Sequence, residues 1–394
     1  MKKIYLRFLS VFVLSILLVA CSKPPVPAVQ EENISQVAPT KQTLYNDATE
    51  QYYRTIIPYV SSPTRGLVYS YLANKYDIEE MELSLMRYSQ SYFNTNEVYF
   101  QEGQYLTKPV VKQMLAKKKT QAELEQALAE DDEYVDLGLN PSTDETIEIN
   151  GLTINPVYLS YLLEQDYVVL EGDQTTLKGV SIGLALNPYQ TWKNEELGYT
   201  QTVVLEEEEE LIAKGKEIAQ HAIDILRTQE GFENVDIMVG LYVLQEQSAV
   251  VPGRMVAKTL VSSGSSKIKN WDSVNEQYYL LPDSKIQEID YELSEQFVKF
   301  KDTIKEYYPH YYGVIGVAHY VDNKLDNLEI TVNIDFYGLA EKLSFHQLLA
   351  QLMNETFSNY YDITVVVRST EEIFGILTRN ANEKDIDVNL INWE

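Results

Sequence analysis

Apolar residues recur with a helical period in Glu206–Gln229, the clearest such segment of the chain. The glutamates Glu206–Glu210 occupy its first turn, where the helix dipole favours negative charge, and Gly231 follows as a stop signal. The apolar runs Gly179–Leu186 and Val235–Leu244 flank this helix and predict buried strands. The pattern therefore predicts a unit of strand, helix and strand.

A second unit with the same order follows towards the C-terminus. Val314–Val321 and Leu328–Phe336 predict a hairpin, Leu343–Asn359 predicts an amphipathic helix, and Ile363–Arg368 predicts a β-branched strand. A degenerate duplication is therefore a hypothesis, although no residue-level repeat accompanies it.

The chain before these units, from Leu44 to about Ala129, is predicted to be mainly helical. Gly and Pro are sparse, and Lys112–Ala129 is rich in good helix formers, with an acidic, turn-rich stretch following at Glu130–Asn150. We therefore predict an α+β fold. A mainly helical N-terminal part (residues 44–165) is followed by one or two mixed strand–helix–strand units, at residues 166–275 and 276–394.

The first twenty residues have the charge pattern of an export signal. Lys2, Lys3 and Arg7 precede Phe8–Ala20, which is uncharged and mostly apolar. Its 13 residues fall short of the roughly 20 that span a bilayer. Leu18–Cys21 (LVAC) then matches a lipobox, in which the Cys thiol accepts a diacylglycerol. The pattern predicts a lipoprotein signal peptide.

Signal peptidase II would cut between Ala20 and Cys21, removing residues 1–20 and leaving Cys21 as the lipidated first residue. Cys21 is the only cysteine, so the sole thiol lies where the lipid belongs. We predict a protein anchored to the extracytoplasmic face of the cell membrane through diacylglycerol, with lipoprotein-processing enzymes as partners. The alternatives are an ordinary signal peptide cut after a small residue and an uncleaved anchor.

Residues 21–43 predict a flexible tether after the lipidated cysteine. Ser22–Thr43 contains four of the 13 prolines and shows no apolar periodicity. Such a segment cannot bury enough surface to fold, and proline biases it towards extended chain.

Acidic residues dominate the composition, with a net charge of −27. Losing the three positive charges of residues 1–20 would bring the exported product to about −30. Such a surface repels nucleic acid and attracts cations and basic partners, although solubility alone also explains it. The 30 tyrosines suit grooves and interfaces, or they replace phenylalanine in a partly wetted core.

Gly179–Gly183 forms a G-x-S-x-G pattern that suggests a serine hydrolase. In that class the serine lies on a sharp turn between a strand and a helix. Here Ser181 lies inside an apolar run that continues to Leu186, and no helix begins after it. We therefore expect no catalytic residue here; the glycines allow close packing or a bulge in a strand.

No other segment predicts an enzyme, a cofactor site or a metal site. The four histidines, His221, His310, His319 and His346, have no metal-ligand spacing, and each is expected on the surface or in the core. The acidic runs lack the spaced ligands of an EF-hand loop. No phosphate-binding loop or nucleic-acid footprint appears.

Several short segments along the chain carry a family resemblance. They are the lipobox at Cys21, Arg65–Leu67, Lys178–Asn187, Val239–Tyr242, Val251–Gly253, Tyr278–Pro282 and Val314–Val317. In this order they resemble the CamS family of sex-pheromone-precursor lipoproteins, and Lys178–Asn187 is the most specific of them. The resemblance implies an envelope lipoprotein of a low-G+C Gram-positive bacterium. It also implies that the tail of the signal peptide can be released as a hydrophobic peptide that induces plasmid transfer.

Three hypotheses for function follow. The first is a pheromone precursor whose body has a separate envelope role. The second, compatible with the first, is an extracytoplasmic binding module for a peptide, glycan or host protein. The third is a hydrolase using Ser181, which would need that serine exposed beside a histidine.

Overall fold

The computed structural model describes residues 41–43, 52–67, 75–193, 198 and 200–391. The predicted signal peptide at residues 1–20, Cys21 and most of the predicted tether at residues 21–43 lie outside these ranges. No helix among the described residues is both long and apolar enough to cross a membrane.

The described residues form helices and strands that we number in chain order. The helices are α1 (Lys75–Ser89), α2 (Lys108–Leu115), α3 (Gln121–Glu130), α4 (Glu208–Leu226), α5 (Ser284–Ile289), α6 (Tyr291–Tyr307) and α7 (Leu339–Thr356). The first strands are β1 (Gln42–Thr43), β2 (Arg54–Ile57), β3 (Tyr99–Glu102), β4 (Ile147–Ile149), β5 (Leu152–Ile154), β6 (Leu159–Glu171), β7 (Gln174–Leu186), β8 (Tyr189–Lys193) and β9 (Thr200–Val204). The remaining strands are β10 (Asp236–Val243), β11 (Arg254–Val261), β12 (Asp272–Ser273), β13 (Glu276–Leu281), β14 (Gly313–Val321), β15 (Lys324–Asn333), β16 (Asp362–Arg368), β17 (Ile373–Arg379) and β18 (Asp387–Leu390).

The larger sheet has the strand order β1-β2-β3-β6-β7-β10-β11-β12. Strands β7 and β10 are parallel, and the crossover between them contains α4, as the sequence predicts. Helix α4 buries its periodic apolar residues, among them Leu211, Ala219 and Ile223, in the main core of this sheet. Parallel neighbours require such a crossover, and the amphipathic helix supplies it.

Helix α1 packs on the opposite face of the larger sheet, where β7 presents only small residues: Gly179, Ser181, Gly183 and Ala185. A Cβ atom at Gly183 would lie 2.6 Å from Met81 of α1, so the helix approaches the sheet closely because that position has no side chain. The close packing expected of the two glycines is therefore confirmed.

Asp77 attaches the first turn of α1 to the loop between β10 and β11. Its carboxylate accepts hydrogen bonds from the backbone N–H of Gly253 at 2.6 Å and of Gln245 at 3.3 Å, and from the hydroxyl of Tyr242 at 3.4 Å. Burial raises the pKa of Asp77 to about 6, against the lowering effect of these donors.

The smaller sheet has the order β13-β14-β15-β16-β17-β18, and its parallel pair β15–β16 is joined through α7. The predicted hairpin, helix and strand are confirmed. The strand order β3-β6-β7-β10-β11-β12 of the larger sheet has the same sequence of antiparallel and parallel pairings. The two units thus share a topology. The domain boundaries placed at 165/166 and 275/276 stay predictions.

Helices α6 and α7 cover only one face of the smaller sheet. Phe297 and Phe300 of α6 and Phe345 and Leu349 of α7 pack there against alternate strand residues, such as Ile330. The strand residues that alternate with these point to the opposite face of the sheet, which we call the open face. Among them Ile315 is 49 % exposed.

The mainly helical N-terminal part predicted for residues 44–165 is wrong. Strands β2 to β6 all begin within this segment, and β6 is a central strand of the larger sheet. Strand β6 was not predicted because polar residues interrupt its apolar pattern. Glu164 and Asp166 are buried, and they accept hydrogen bonds from backbone N–H groups of residues 104–106, which allows a strand where the apolar pattern is broken.

The helix-rich stretch Lys112–Ala129 is interrupted rather than continuous. Helix α2 ends at Leu115, and α3 begins only after Thr120, whose side chain forms a capping box with Glu123. The residues between them extend, and Lys117 forms a β-bridge with Asn140. Composition predicted the helical residues, whereas the capping residues decide where each helix starts.

Candidate functional site

A cleft of about 570 Å³ separates α1 from the open face of the smaller sheet. The loop between β10 and β11 closes one side of it. Its lining residues are Tyr52, Glu79, Glu80, Leu83, Met86, Arg87, Gln90, Val250, Pro252, Tyr278, Val317, His319, Asp326, Asn327, Glu329 and Asp362. A cavity of this size is in the range of those that bind small ligands.

Helix α1 packs against the larger sheet with one face and forms a wall of the cleft with another. Met81 and Leu85 are buried against the larger sheet. Glu79, Leu83 and Met86 recur at spacings of four and three residues and line the cleft. The helix is therefore shared between a packed core and a cavity.

Strand register places the other wall on a single sheet face. Val317 pairs with Glu329 across β14 and β15, and His319 pairs with Asn327. Asn327 in turn pairs with Asp362 across the parallel strands β15 and β16. Because side chains directly opposite one another in a sheet point to the same face, all five belong to the open face.

A β-bulge brings Asp326 to this face as well. The register between β14 and β15 shifts at His319/Tyr320, which leaves Asp326 as the extra residue on β15. Bulges of this kind redirect a side chain. Here Oδ2 of Asp326 lies 3.3 Å from Nδ1 of His319.

Arg87 connects the two walls of the cleft electrostatically. Its guanidinium donates to Oε1 of Glu276 on β13 at 2.5 Å and to Oε1 of Glu80 on α1 at 3.0 Å. Burial opposes ionisation of Glu276, but His319 and Arg87 outweigh it and hold the pKa of Glu276 below its ordinary value. An ionised carboxylate is thus stabilised at a fully buried position, which requires partners of this kind.

His319 lies at the centre of the cleft floor. Its ring stacks on Tyr278, with centroids 4.5 Å apart and planes inclined by 14°. Nε2 lies 3.5 Å from Oε1 of Glu276. Burial opposes protonation of His319, but hydrogen bonding to Asp326 and Glu276 outweighs it and raises the pKa of the imidazole.

The remaining charge of the cleft is negative. Two of its five carboxylates, Glu80 and Asp326, are paired with Arg87 and His319. Among the side chains that the structure describes, no ion pair joins a basic group to the other three, which are Glu79, Glu329 and Asp362. A ligand entering the cleft therefore meets excess negative charge beside apolar surface.

The family model for the CamS sex pheromone cAM373 precursor matches residues 59–385. The chain belongs to the CamS family. The resemblance found in the sequence is confirmed by this match.

Two solved structures are similar to this CamS chain. The sex pheromone precursor of Lactobacillus salivarius subsp. salivarius is 24% identical, covers 90% of this chain and 100% of its own, and gives a TM-score of 0.77. The C-terminal domain of the sex pheromone staph-cAM373 precursor of Staphylococcus aureus is 26% identical, covers 81% and 98%, and gives a TM-score of 0.68. No curated protein matches the chain.

Ser181, in the segment that most resembles the CamS family, is fully buried in β7. Its Oγ lies 2.5 Å from Oγ of Ser89, which itself donates to the carbonyl oxygen of Leu85. The predicted burial of Ser181 in a strand is therefore confirmed. A hydroxyl enclosed between a helix and a sheet cannot reach a substrate.

The four histidines are not brought together in this CamS chain. His319 lines the cleft, while His221 lines a second cavity of about 490 Å³ beside α4. His310 pairs with Glu341 at 2.8 Å, and His346 is buried with Nδ1 2.6 Å from the carbonyl oxygen of Lys342. Over the described residues, no group of three or more His, Cys, Asp or Glu could hold a metal ion.

Sequence reasoning missed the cleft. Arg87 and Glu276 are 189 positions apart, so no local spacing could reveal their contact. The available signal was indirect: Pro252, Tyr278 and Val317, which line the cleft, each lie in a segment that carried the CamS resemblance.

Proposed function

We propose that this chain is the lipoprotein precursor of a short apolar signalling peptide and that its exported body acts at the cell envelope. One observation carries the proposal: the apolar stretch Leu14–Ala20 directly precedes Cys21 of a lipobox. Membership of the CamS family supports it.

Two successive cleavages would release the peptide from the signal sequence. Signal peptidase II, cutting before Cys21, defines a peptide end at Ala20. An intramembrane protease cutting near Val13 or Leu14 would then release a product without charged side chains. Such a peptide is short enough to leave the bilayer and apolar enough to fill an apolar receptor pocket. Diacylglycerol on Cys21 would hold the body at the outer face of the membrane, since two acyl chains anchor durably.

Mass spectrometry of culture supernatant, with a conjugation assay of synthetic LSILLVA, tests the peptide. We expect a peptide ending at Ala20 and increased plasmid transfer by responsive recipients. Cys21→Ala should abolish both the peptide and the incorporation of labelled fatty acid. If wild-type supernatant lacks the peptide and LSILLVA is inactive, the pheromone role is wrong. Fatty-acid labelling tests the anchor independently.

The cleft favours a second role, in which the exported body is an extracytoplasmic binding module. It combines two walls from distant parts of the chain, an apolar lining that includes Leu83 and Val317, and polar groups for specificity. Peptides, glycans and proteins are the ligand classes to consider. A hydrolase using Ser181 is disfavoured by the burial of that residue.

Blocking the cleft tests the binding role. The mature lipoprotein in nanodiscs is screened against peptides and glycans, and each ligand is measured again with Val317→Trp and Ile315→Trp. Both residues lie on the open face, but only Val317 lines the cleft. We expect Val317→Trp to abolish binding and Ile315→Trp to preserve it. Ligands that bind equally to both variants would refute the cleft as the site.

A further inference from the structure

Glu329 and Asp362 lie close together on the cleft floor without a basic partner. Asn327 pairs with Asp362, and Glu329 pairs with Thr364, so the two carboxylates are diagonal neighbours on adjacent strands of one face. Both side chains are exposed in the cleft, and Oδ1 of Asp362 also accepts a hydrogen bond from the backbone N–H of Ala381 at 2.6 Å. A cation bound between the two carboxylates would be attracted by both.

The basic groups already inside the cleft cannot supply that cation. Arg87 is held by Glu80 and the buried Glu276, and His319 lies between Glu276 and Asp326. Moving Arg87 towards Asp362 would leave Glu80 without its basic partner, and moving His319 would remove one of the two groups that pair with the fully buried Glu276. A positive charge placed at Glu329 and Asp362 would therefore come from a ligand.

The apolar part of the lining indicates what kind of cation fits. Leu83 and Met86 of α1 face the cleft opposite Val317, with Pro252 at its edge. Lysine and arginine side chains combine an apolar stem with a charged end, and the stem packs on apolar surface while the end meets its counter-charge. A bare metal ion would leave this surface unused.

We propose that the cleft binds a lysine or arginine side chain of a basic peptide, with its charged end at Glu329 and Asp362 and its stem against Val317, Leu83 and Met86. This inference rests on the binding role proposed above and specifies its ligand. The chain's net charge of −27 favours approach of such a peptide at low ionic strength.

Calorimetric titration of the mature lipoprotein in zwitterionic nanodiscs tests the inference. The probes are Ac-Ala-Leu-Lys-Leu-Ala-NH2 and the same peptide with norleucine in place of lysine, which keeps the stem and removes the charge. We expect the norleucine peptide to bind about tenfold more weakly, and the affinity of the lysine peptide to fall as salt is added.

Matched variants locate the charge effect. Glu329→Gln with Asp362→Asn should weaken binding of the lysine peptide about tenfold. Glu288→Gln with Glu295→Gln makes the same charge change on exposed positions outside the cleft and should leave binding unchanged.

Two results would overturn the inference: no binding of the lysine peptide at millimolar concentration, or equal binding of the lysine and norleucine peptides. If a neutral ligand binds and Val317→Trp abolishes that binding, the binding role stands and only the cationic ligand is wrong. Equal weakening by both double variants would mean that general surface charge, not the cleft, attracts the peptide.

Discussion

Ser181 and Ser89 share a hydrogen bond between hydroxyl groups that are both buried, one in β7 and one at the end of α1. The serine at the centre of the G-x-S-x-G pattern therefore contributes to packing between a helix and a sheet. Size and hydrogen bonding, rather than nucleophilicity, explain a small polar residue at this position.

Ser181→Ala should lower the free energy of unfolding by only about 1 kcal/mol, because it removes one hydrogen bond while Ser89 still donates to Leu85. Urea unfolding measures this, with the exposed Ser263→Ala as the control. Neither wild type nor variant should react with a fluorophosphonate probe. Stoichiometric labelling of wild type that disappears in Ser181→Ala would contradict us.

Asp166 and Glu164 form a buried pair of carboxyl groups on β6. Burial, followed by repulsion from Glu164, raises the pKa of Asp166 well above its ordinary value. The folded state thus holds a proton that the unfolded chain releases near pH 4. This contribution to stability is complete below that pH, and it is lost as pH rises towards the raised pKa of the folded state.

Asp166→Asn should make stability less dependent on pH, because the amide keeps a donor towards Glu164 but does not titrate. Relative to wild type, the variant should gain stability as pH rises from 4 to 8. Urea unfolding across this range measures the difference, and the exposed Asp132→Asn controls for loss of one carboxylate. Parallel curves for wild type and Asp166→Asn would show that the pair does not hold the proton.

At the scale of elements, the close approach of the α1 segment to the larger sheet depends on β7 having small residues on one face. The ring of Phe93, which follows α1, packs against Gly179. The same ring stacks on Tyr167, with ring centroids 4.6 Å apart. A Cβ atom at Gly179 would lie 2.0 Å from the Phe93 ring. The ring is buried, so it cannot move aside freely.

Gly179→Ala should therefore destabilise the fold by about 1–3 kcal/mol through overpacking. Gly313→Ala is the matched control, because a Cβ atom at Gly313 on β14 meets nothing within 4 Å. Thermal unfolding followed by circular dichroism compares the two variants. Equal melting temperatures would show that the Phe93 ring relaxes without cost.

The sequence predicted those helices and strands whose own residues have a regular apolar period. Helix α4 and the hairpin β14–β15 have regular apolar periods and were predicted to within a few residues. Strand β6 was missed because distant backbone groups satisfy its buried Glu164 and Asp166. The cleft was missed for the same reason, since Arg87 and Glu276 meet only in the folded chain.

At the scale of the whole molecule, α1 lies between two sheets of shared topology. It packs against β7, β10 and β11 of the larger sheet, while Arg87 reaches Glu276 at the edge of the smaller one. The junction of Arg87 with the buried Glu276 and His319 is thus a charged connection between the two units. Its strength depends on the protonation of His319.

The raised pKa of His319 predicts the sign of this dependence. The junction should stabilise the fold fully below about pH 6.5, the ordinary value for histidine, and lose that contribution as pH rises through the raised pKa. The loss of stability between pH 6 and 9 should be smaller in His319→Gln than in wild type, where the contribution of Asp166 remains, whereas the exposed His221→Gln should match wild type. Urea unfolding at each pH measures the three losses, and equal losses in His319→Gln and wild type would refute the assignment.

The attachment of α1 through Asp77 has a consequence for local opening of the fold. The backbone N–H groups of Gly253 and Gln245 lie outside β10 and β11, yet both donate to Asp77. If α1 separates from the larger sheet as a unit, these two amides lose their acceptor at that moment. The amides of Gly253 and Gln245 should therefore exchange with deuterated water at the rate of the α1 amides. Slow exchange in this loop would then report how rarely the wall of the cleft opens.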